Sequence, residues 1–156
     1  MFLNWRLSAL ERFIATLDRL SDRQGLKASE PAHLITGERG EDAAFFFLRK
    51  HGFTVVARRW NDGPEPGDID LIAWQDDVLC FVEVKTRSSK EVATASSAVD
   101  RDKRKTLRRL ARQYLRQLPE GELPQIRFDI VTVYELPGKP REIRLIPGAF
   151  GWGERE

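Results

Sequence analysis

Two acidic residues and a lysine stand at the ends of two apolar stretches of this chain. Glu83 and Lys85 are separated by one residue at the end of the stretch that begins at Val78, and Asp70 lies thirteen positions before Glu83 in the sequence GDIDLI. Residues at positions i and i+2 of a strand project from the same face. Brought together at strand ends, two carboxylates and an ammonium can hold a divalent cation beside a phosphate group.

Two strands joined by a tight turn are predicted for residues 67–74 and 78–85, which are rich in Ile, Leu, Val and Phe. With residues 76 and 77 as the loop, Asp70 falls directly opposite Glu83. Directly opposed residues share a face, with Cβ atoms roughly 4.5–5.5 Å apart. One face is then expected to carry Asp68, Asp70, Ile72, Trp74, Leu79, Phe81, Glu83 and Lys85, and the other face Ile69, Leu71, Ala73, Val78, Cys80, Val82 and Val84.

Two carboxylates directly opposed on a sheet repel each other unless another group neutralises them. Lys85 offsets part of that repulsion, and a cation between Asp70 and Glu83 offsets more. Oxygen ligands of this kind suit Mg²⁺, which commonly binds one or two carboxylates, water and substrate phosphate. The alternative is a strand end whose acids point into water beside a salt-bridging lysine, and a bulge in either strand would exchange the two faces.

The composition describes a soluble globular protein of one domain, with 156 residues, 41% hydrophobic and 32% charged. Its one cysteine, Cys80, excludes an internal disulfide framework and lies in an apolar stretch, which favours a packed thiol in a reducing compartment. No stretch approaches the roughly 18 apolar residues of a membrane span. Arg6, Glu11 and Arg12 interrupt the N-terminal region where a signal peptide is apolar. We therefore expect a cytoplasmic protein without a membrane span.

The net charge of +2 conceals an uneven distribution. Residues 85–116 contain eleven Lys and Arg against Glu91, Asp100 and Asp102, a balance of +8, so the remainder of the chain carries −6. A basic region beside a candidate site of phosphate chemistry indicates nucleic acid as a partner. Taken alone, such a charge run is typical of a solvated helix face.

The periodicity of apolar residues predicts an α/β domain built on a mixed sheet. An amphipathic helix is expected over residues 2–20, followed by a polar linker over 21–31. The domain then follows in the order helix, strand, hairpin, helix, strand, strand. Apart from the hairpin, these elements are a helix from Thr36 to Lys50 with Gly52 as its C-cap, a strand at 53–59, a helix at 100–118, and strands at 127–134 and 142–146.

Lys103 interrupts the pattern of the second of these helices. It lies four residues before Leu107 and therefore shares the apolar face, while arginines flank that face. Two explanations are open. The lysine extends its charged end to solvent along the apolar surface, or it reaches the cleft that holds Asp70 and Glu83.

Four segments of the chain resemble the YraN family, small bacterial proteins related to archaeal Holliday-junction resolvases and to the wider PD-(D/E)XK nuclease superfamily. They are GERGEDAA at 37–44, GDIDLIA at 67–73, FVEVKTRS at 81–88 and RFDIV at 127–131. The resemblance covers roughly residues 34–150. It implies a restriction-endonuclease-like core, a mixed β-sheet flanked by helices. Residues 1–30 are then an N-terminal helical extension and linker, and residues 31–156 a nuclease-like domain.

The resemblance also implies roles for individual residues. Asp70 and Glu83 are expected to bind Mg²⁺ or Mn²⁺ together with the backbone carbonyl of Val84, with Lys85 as the catalytic lysine and Glu41 as an additional acidic residue. Contacts to the phosphate backbone, which position a nucleic acid without reading its sequence, are expected from Arg87, Lys103, Arg104, Arg108 and Arg112.

The expected function is that of a Mg²⁺-dependent endodeoxyribonuclease that hydrolyses phosphodiester bonds in DNA, with branched or junction DNA among the candidate substrates. The alternative is a nucleic-acid-binding or scaffold protein that keeps the nuclease fold without catalysis. A third interpretation is a partner-binding module built on the N-terminal helix, which then packs on the domain, forms a dimer, or contacts a membrane or another protein. A homodimer stays open, because resolvase relatives act as dimers on two-fold symmetric junctions.

Overall fold

The structure, a computed structural model, describes residues 32–64, 66–88, 101–121 and 123–153. These residues form two helices and five strands in the predicted order. The elements are α1 (Ala32–Lys50), β1 (Thr54–Trp60), β2 (Ile69–Gln75), β3 (Val78–Arg87), α2 (Arg101–Leu115), β4 (Gln125–Tyr134) and β5 (Glu142–Phe150). Neither of these two helices has the length and apolar character needed to cross a membrane. The predicted helix at 2–20 and its linker lie outside the described residues.

The five strands form one mixed sheet in the order β1-β2-β3-β4-β5. The pairs β1–β2, β2–β3 and β4–β5 are antiparallel, whereas β3 and β4 are parallel. Two parallel strands that follow each other in the chain need a crossover connection, and α2 lies in that connection. The predicted mixed sheet flanked by helices is therefore confirmed.

Each face of the sheet is covered by one helix. Leu107, Leu110 and Ala111 of α2 pack on one face, in a cluster that includes Ile72, Leu79, Phe81, Phe128 and Ile130. Ala43, Ala44 and Leu48 of α1 pack on the other, in a cluster that includes Leu71, Ala73, Cys80, Val82 and Val131. Both faces of β2 and β3 are therefore apolar, because a helix covers each of them.

The hairpin of β2 and β3 has the predicted register from Gln75 paired with Val78 to Leu71 paired with Val82. The ladder ends there, so the predicted direct pairing of Asp70 with Glu83 is not part of it. Asp76 lies in the turn with φ of 50°, a conformation that Asp tolerates better than most residues. The predicted face of one residue, Ile69, was wrong. Ile69 packs in the cluster under α2 together with its partner Trp60, so the strict alternation of β2 fails at its first residue.

A glycine cap ends α1 and turns the chain into β1. Gly52 has φ of 86°, and its N–H donates to Arg49 O while the N–H of Phe53 donates to Leu48 O at 3.0 Å. This pair of bonds satisfies carbonyls that the helix end leaves without partners. Phe53 packs back in the same apolar cluster as Leu48. The predicted C-cap is confirmed.

Two glycines let the backbone approach neighbouring elements closely. A Cβ on Gly40 of α1 would overlap with Oγ1 of Thr86 on β3, and a Cβ on Gly67 would lie 2.7 Å from Cγ2 of Thr106 on α2. Gly67 also has φ of 99°, which favours glycine. The first contact holds α1 against the end of β3, and the second holds the loop before β2 against α2.

Candidate active site

Glu83 is the buried centre of the site. It lies near the end of β3, is 2% exposed, and its two carboxylate oxygens face two different ammonium groups. Oε1 lies 2.8 Å from Nζ of Lys85, and Oε2 lies 3.1 Å from Nζ of Lys103. One lysine therefore comes from the same strand and the other from the helix that covers this face.

Asp70 is buried beside Glu83 at the open end of the hairpin. Its Oδ2 accepts a hydrogen bond of 2.6 Å from the backbone N–H of Val84. Burial and the charge of Glu83 raise the pKa of Asp70 from 3.8 to about 7, although the Val84 bond and the charge of Lys103 act in the opposite direction. The two carboxylates thus repel each other in a poorly solvated place, and a proton or a cation between them relieves that repulsion.

Lys103 reaches the cleft, which decides between the two explanations that the sequence left open. Besides its ion pair with Glu83, its Nζ lies 3.4 Å from the backbone oxygen of Asp68. Burial lowers the pKa of Lys103, but the negative charges of Glu83 and Asp70 outweigh burial and raise it overall. The ammonium is therefore held in its charged form by the carboxylates.

The loop that carries Asp68 is positioned by contacts on both sides. The close approach of Gly67 to Thr106 holds it against α2, and Nδ2 of Asn61 donates to the backbone oxygen of Gly67 at 2.7 Å. These contacts place the carbonyl of Asp68 beneath Lys103, one turn of helix before Leu107. Here the backbone of Asp68, rather than its side chain alone, contributes to the site.

Glu41 lies near the pair but is engaged elsewhere. Its Oε2 accepts a hydrogen bond of 2.6 Å from Nε of Arg59, and Nη1 of Arg59 lies 3.2 Å from Glu38. The hydrogen bond from Arg59 to Glu41 is the largest of the effects that raise the pKa of Arg59. Glu41 is nevertheless close enough for its charge to raise the pKa of Asp70. Its role as a further acidic residue of the site stays a prediction.

The donor set can be tested for its fit to a metal ion. Within the described residues, no group of three or more His, Cys, Asp or Glu side chains converges as a metal-binding cluster. Asp70 and Glu83 are two buried carboxylates beside each other. In the described part of the chain, the buried Oε2 of Glu83 has its ion pair with Lys103 and no further hydrogen-bond partner. A buried carboxylate oxygen of this kind, with a second carboxylate beside it, fits Mg²⁺ or Mn²⁺, because such ions keep several waters and need only one or two carboxylates.

The arginines predicted to contact phosphates line one flank of α2. The guanidinium groups of Arg104 and Arg108 lie over the ring of Phe150 at 5.5 and 5.6 Å, and that of Arg112 over Trp152 at 5.3 Å. Arg108 also donates from Nε to the backbone oxygen of Gly151. A guanidinium group that stacks on an aromatic ring is attracted to the ring face and held in position. Their role in binding nucleic acid, and that of the half-buried Arg87 at the end of β3, stays a prediction.

Two residues of this region were not predicted from the sequence. Arg59 binds Glu41, and Thr132 of β4 lies in register with Lys85 of the parallel strand β3. Thr132 is 2% exposed, and among the described residues its Oγ1 has no hydrogen-bond partner. Thr132 could be identified only from the register between β3 and β4, which are distant in sequence. The periodicity of apolar residues does not determine that register.

Asp129 is a structural residue on the opposite face of the sheet. It is fully buried, accepts bonds of 2.8 and 2.9 Å from Arg127, and accepts a third from the N–H of Gly148. Burial also raises the pKa of the nearby Cys80 thiol to about 12, as expected for a packed thiol.

A family profile and individual relatives all match this chain to one protein family. Residues 40–133 match the profile of a family described as "Uncharacterised protein family UPF0102". The chain is 51% identical over 132 residues to a UPF0102 protein of Koribacter versatilis, covering 85% of this chain and 90% of the relative. It is 42% identical over 137 residues to one of Solibacter usitatus, with 88% and 99% covered.

Comparison with solved structures gives a more distant similarity. Hjc, a Holliday junction resolvase from Archaeoglobus fulgidus, aligns with a TM-score of 0.41 and 19% sequence identity. The alignment covers 69% of this chain and 74% of that one.

Proposed function

The chain belongs to the UPF0102 family, which is the YraN family that its motifs resemble, and from that premise we propose that it is a metal-dependent nuclease that hydrolyses phosphodiester bonds in DNA. One observation carries the proposal. The buried carboxylate of Glu83 lies between two lysine ammoniums and beside Asp70, whose pKa is raised to about 7. Strongly perturbed carboxylates of this kind are typical of functional sites.

A purely structural role explains this arrangement poorly. Burying a carboxylate costs several kcal/mol unless it is paired, and two carboxylates side by side add repulsion. Apolar residues in place of Asp70 and Glu83 would continue the apolar surface of the hairpin without that cost. The charges are better explained by a use in binding and catalysis.

Asp70 and Glu83 are the residues that would hold Mg²⁺ or Mn²⁺. When bound, such an ion polarises a phosphoryl oxygen and lowers the pKa of water. Lys85 lies on the other oxygen of Glu83, with its Nζ 2.8 Å away and its side chain 29% exposed. From that position its ammonium is able to orient the attacking water by a hydrogen bond or to stabilise the negative charge that develops on the phosphate.

The basic flank of α2 supports a polyanionic substrate. Arg104 and Arg108 are half-buried and Arg112 is exposed, and all three are held over aromatic rings. Cations at positions i, i+4 and i+8 of a helix lie about 6 Å apart along one side. Such a row contacts phosphates and positions a nucleic acid without selecting its sequence. DNA is therefore proposed as the substrate, with junction and flap structures as the forms to test beside linear duplex.

The proposal is tested with labelled linear, flapped and four-way DNA in the presence of Mg²⁺, Mn²⁺ or EDTA. The wild type is expected to cleave at least one of these only when metal is present. Asp70→Asn and Lys85→Met should lose at least about 100-fold in rate, while their DNA affinity stays close to that of the wild type. Asp77→Asn is the matched control, because it neutralises an exposed carboxylate in the hairpin turn. Equal cleavage by the wild type and both site variants would show a contaminating nuclease and contradict the proposal.

A second candidate, a DNA-binding protein without catalysis, is favoured by the charge balance of the site. Asp70 and Glu83 are already balanced by Lys85 and Lys103 without a metal ion. In that event the wild type binds DNA equally well in Mg²⁺ and EDTA, binds Mn²⁺ weakly, and leaves every DNA of the panel intact.

A further inference from the structure

The two lysines of the site occupy different positions relative to the carboxylate pair. Lys103 contacts Glu83 Oε2, and the charges of Glu83, Asp70 and Asp68 all raise its pKa. Lys103 is also the cation whose charge lowers the pKa of Asp70. Lys85 contacts Oε1, the other oxygen of Glu83. Lys103 thus occupies the buried oxygen of Glu83 and Lys85 occupies the other oxygen.

We infer that Lys103 is the internal counter-ion of the carboxylate pair in the metal-free protein, and that it must leave Glu83 Oε2 before a divalent cation can bind there. The inference rests on the proposed function, because it concerns the same metal ligands. It adds a residue with a defined task, which is to neutralise the pair in the metal-free protein and to vacate Glu83 Oε2 so that the metal can bind.

The side chain of Lys103 can make this movement while its helix stays in place. Leu107 and Leu110, on the same face of α2, are fully buried in the core and anchor the helix. The Lys103 side chain is 25% exposed, and its four-carbon stem is flexible. It is therefore able to turn towards solvent by rotation about its own bonds, with no shift of α2.

Displacement leaves Lys103 available to the substrate. After it leaves Glu83, its ammonium stays within one side-chain length of the carboxylate pair, because α2 does not move. The same ammonium would then pair with Glu83 in the metal-free protein and with a substrate phosphate in the metal-bound protein. No further cationic residue would be needed near the metal.

The affinity for Mn²⁺, measured by calorimetry without DNA, tests the competition directly. Lys103→Met is expected to bind Mn²⁺ about tenfold more tightly than the wild type, because no ammonium then competes for Oε2. Lys105→Met is the matched control, since it removes the same charge from an exposed position of the same helix. It should alter the affinity by no more than about twofold, because an exposed charge is screened.

A second measurement follows Lys103 in the wild type itself. Mild acetylation of the wild type, followed by mass spectrometry, reports how accessible each lysine amine is. Acetylation of Lys103 is expected to rise several-fold when Mg²⁺ is added, whereas that of Lys105 stays constant. Asp70→Asn should abolish the effect of Mg²⁺ on Lys103, because the site then lacks one metal ligand.

The outcomes separate this inference from the proposed function. If the wild type and Lys103→Met bind Mn²⁺ equally well and the acetylation of Lys103 ignores Mg²⁺, the inference is wrong while the metal site stands. If neither protein binds Mn²⁺, the proposed metal-dependent function is wrong as well. An equal gain in affinity for Lys103→Met and Lys105→Met would show a general effect of net charge and would also contradict the inference.

Discussion

Asp70 accepts a hydrogen bond of 2.6 Å from the backbone N–H of Val84, so that a side chain of β2 binds the main chain of β3. The bond lies beyond Leu71 and Val82, the pair at which the ladder of these two strands ends. It fixes the Asp70 carboxylate beside Glu83 at the place where the strands separate. The sheet thus holds two acids together that would otherwise move apart.

The stability of the metal-free protein should depend on Asp70 in a defined pH range. Because the pKa of Asp70 rises from 3.8 to about 7 on folding, the carboxyl is protonated in both states below about pH 3. As the pH rises from about 3 to 7, the unfolded chain loses this proton first, so the free energy of unfolding falls, by roughly 4 kcal/mol at most. Urea unfolding in EDTA at pH 4.5 and 8 measures this loss.

Asp70→Asn provides the comparison for that measurement. The variant keeps the shape of the side chain but cannot ionise, so its free energy of unfolding should fall less between the two pH values than that of the wild type. Asp77→Asn, in the exposed turn, should follow the wild type. Identical pH dependence of Asp70→Asn and the wild type would show that the Asp70 carboxyl titrates normally.

The contact between Gly40 and Thr86 should make α1 intolerant of a methyl group at one position. A Cβ on Gly40 would overlap with Thr86 Oγ1, so Gly40→Ala is expected to cost roughly 1–3 kcal/mol in the free energy of unfolding. Gly37→Ala, on the same helix with open space around it, should be neutral or stabilising by up to about 1 kcal/mol. Adding Thr86→Ala to Gly40→Ala should restore part of the loss. Equal stability of the two alanine variants would contradict the close packing.

The sequence predicts the part of the site that depends on local pairing. The register of a hairpin follows from its turn and its alternating residues, which is why Asp70 and Glu83 could be placed near each other. Lys103 was also visible as a charge on an apolar helix face. Both signals depend on neighbours within one helix or one hairpin.

Contacts between distant segments were not accessible in this way. Arg59 binds Glu41 eighteen positions away, and the arginines of α2 stack on Phe150 and Trp152 across the domain. Ile69 was assigned to the wrong face, because it packs under α2 with its β1 partner Trp60 and does not follow the alternation of β2. Tertiary packing decides such contacts, and no periodicity records them.

Arg127 should matter to stability and not to the site. Its side chain pairs with Asp129, which is fully buried on the α1 face of the sheet. Arg127→Met leaves that carboxylate without its counter-charge, and the expected cost is roughly 3–5 kcal/mol in the free energy of unfolding. Arg141→Met breaks an exposed pair with Glu135 and should cost less than about 1 kcal/mol. Where the Arg127 variant is folded, its Mn²⁺ affinity should equal that of the wild type, and a selective loss of Mn²⁺ binding would place the pair within the site.

Arg112 should contribute to DNA binding through charge alone. It is exposed on α2 and held over Trp152, so we expect it to contact a phosphate. In an Asp70→Asn background, which prevents cleavage, Arg112→Ala should weaken duplex binding equally for all sequences and reduce the slope of log K against log salt by about 0.9. Lys50→Ala, at the end of α1 on the other face of the sheet, should leave that slope unchanged. Fluorescence anisotropy at several salt concentrations provides both slopes, and an unchanged slope for Arg112→Ala would exclude its contact with phosphate.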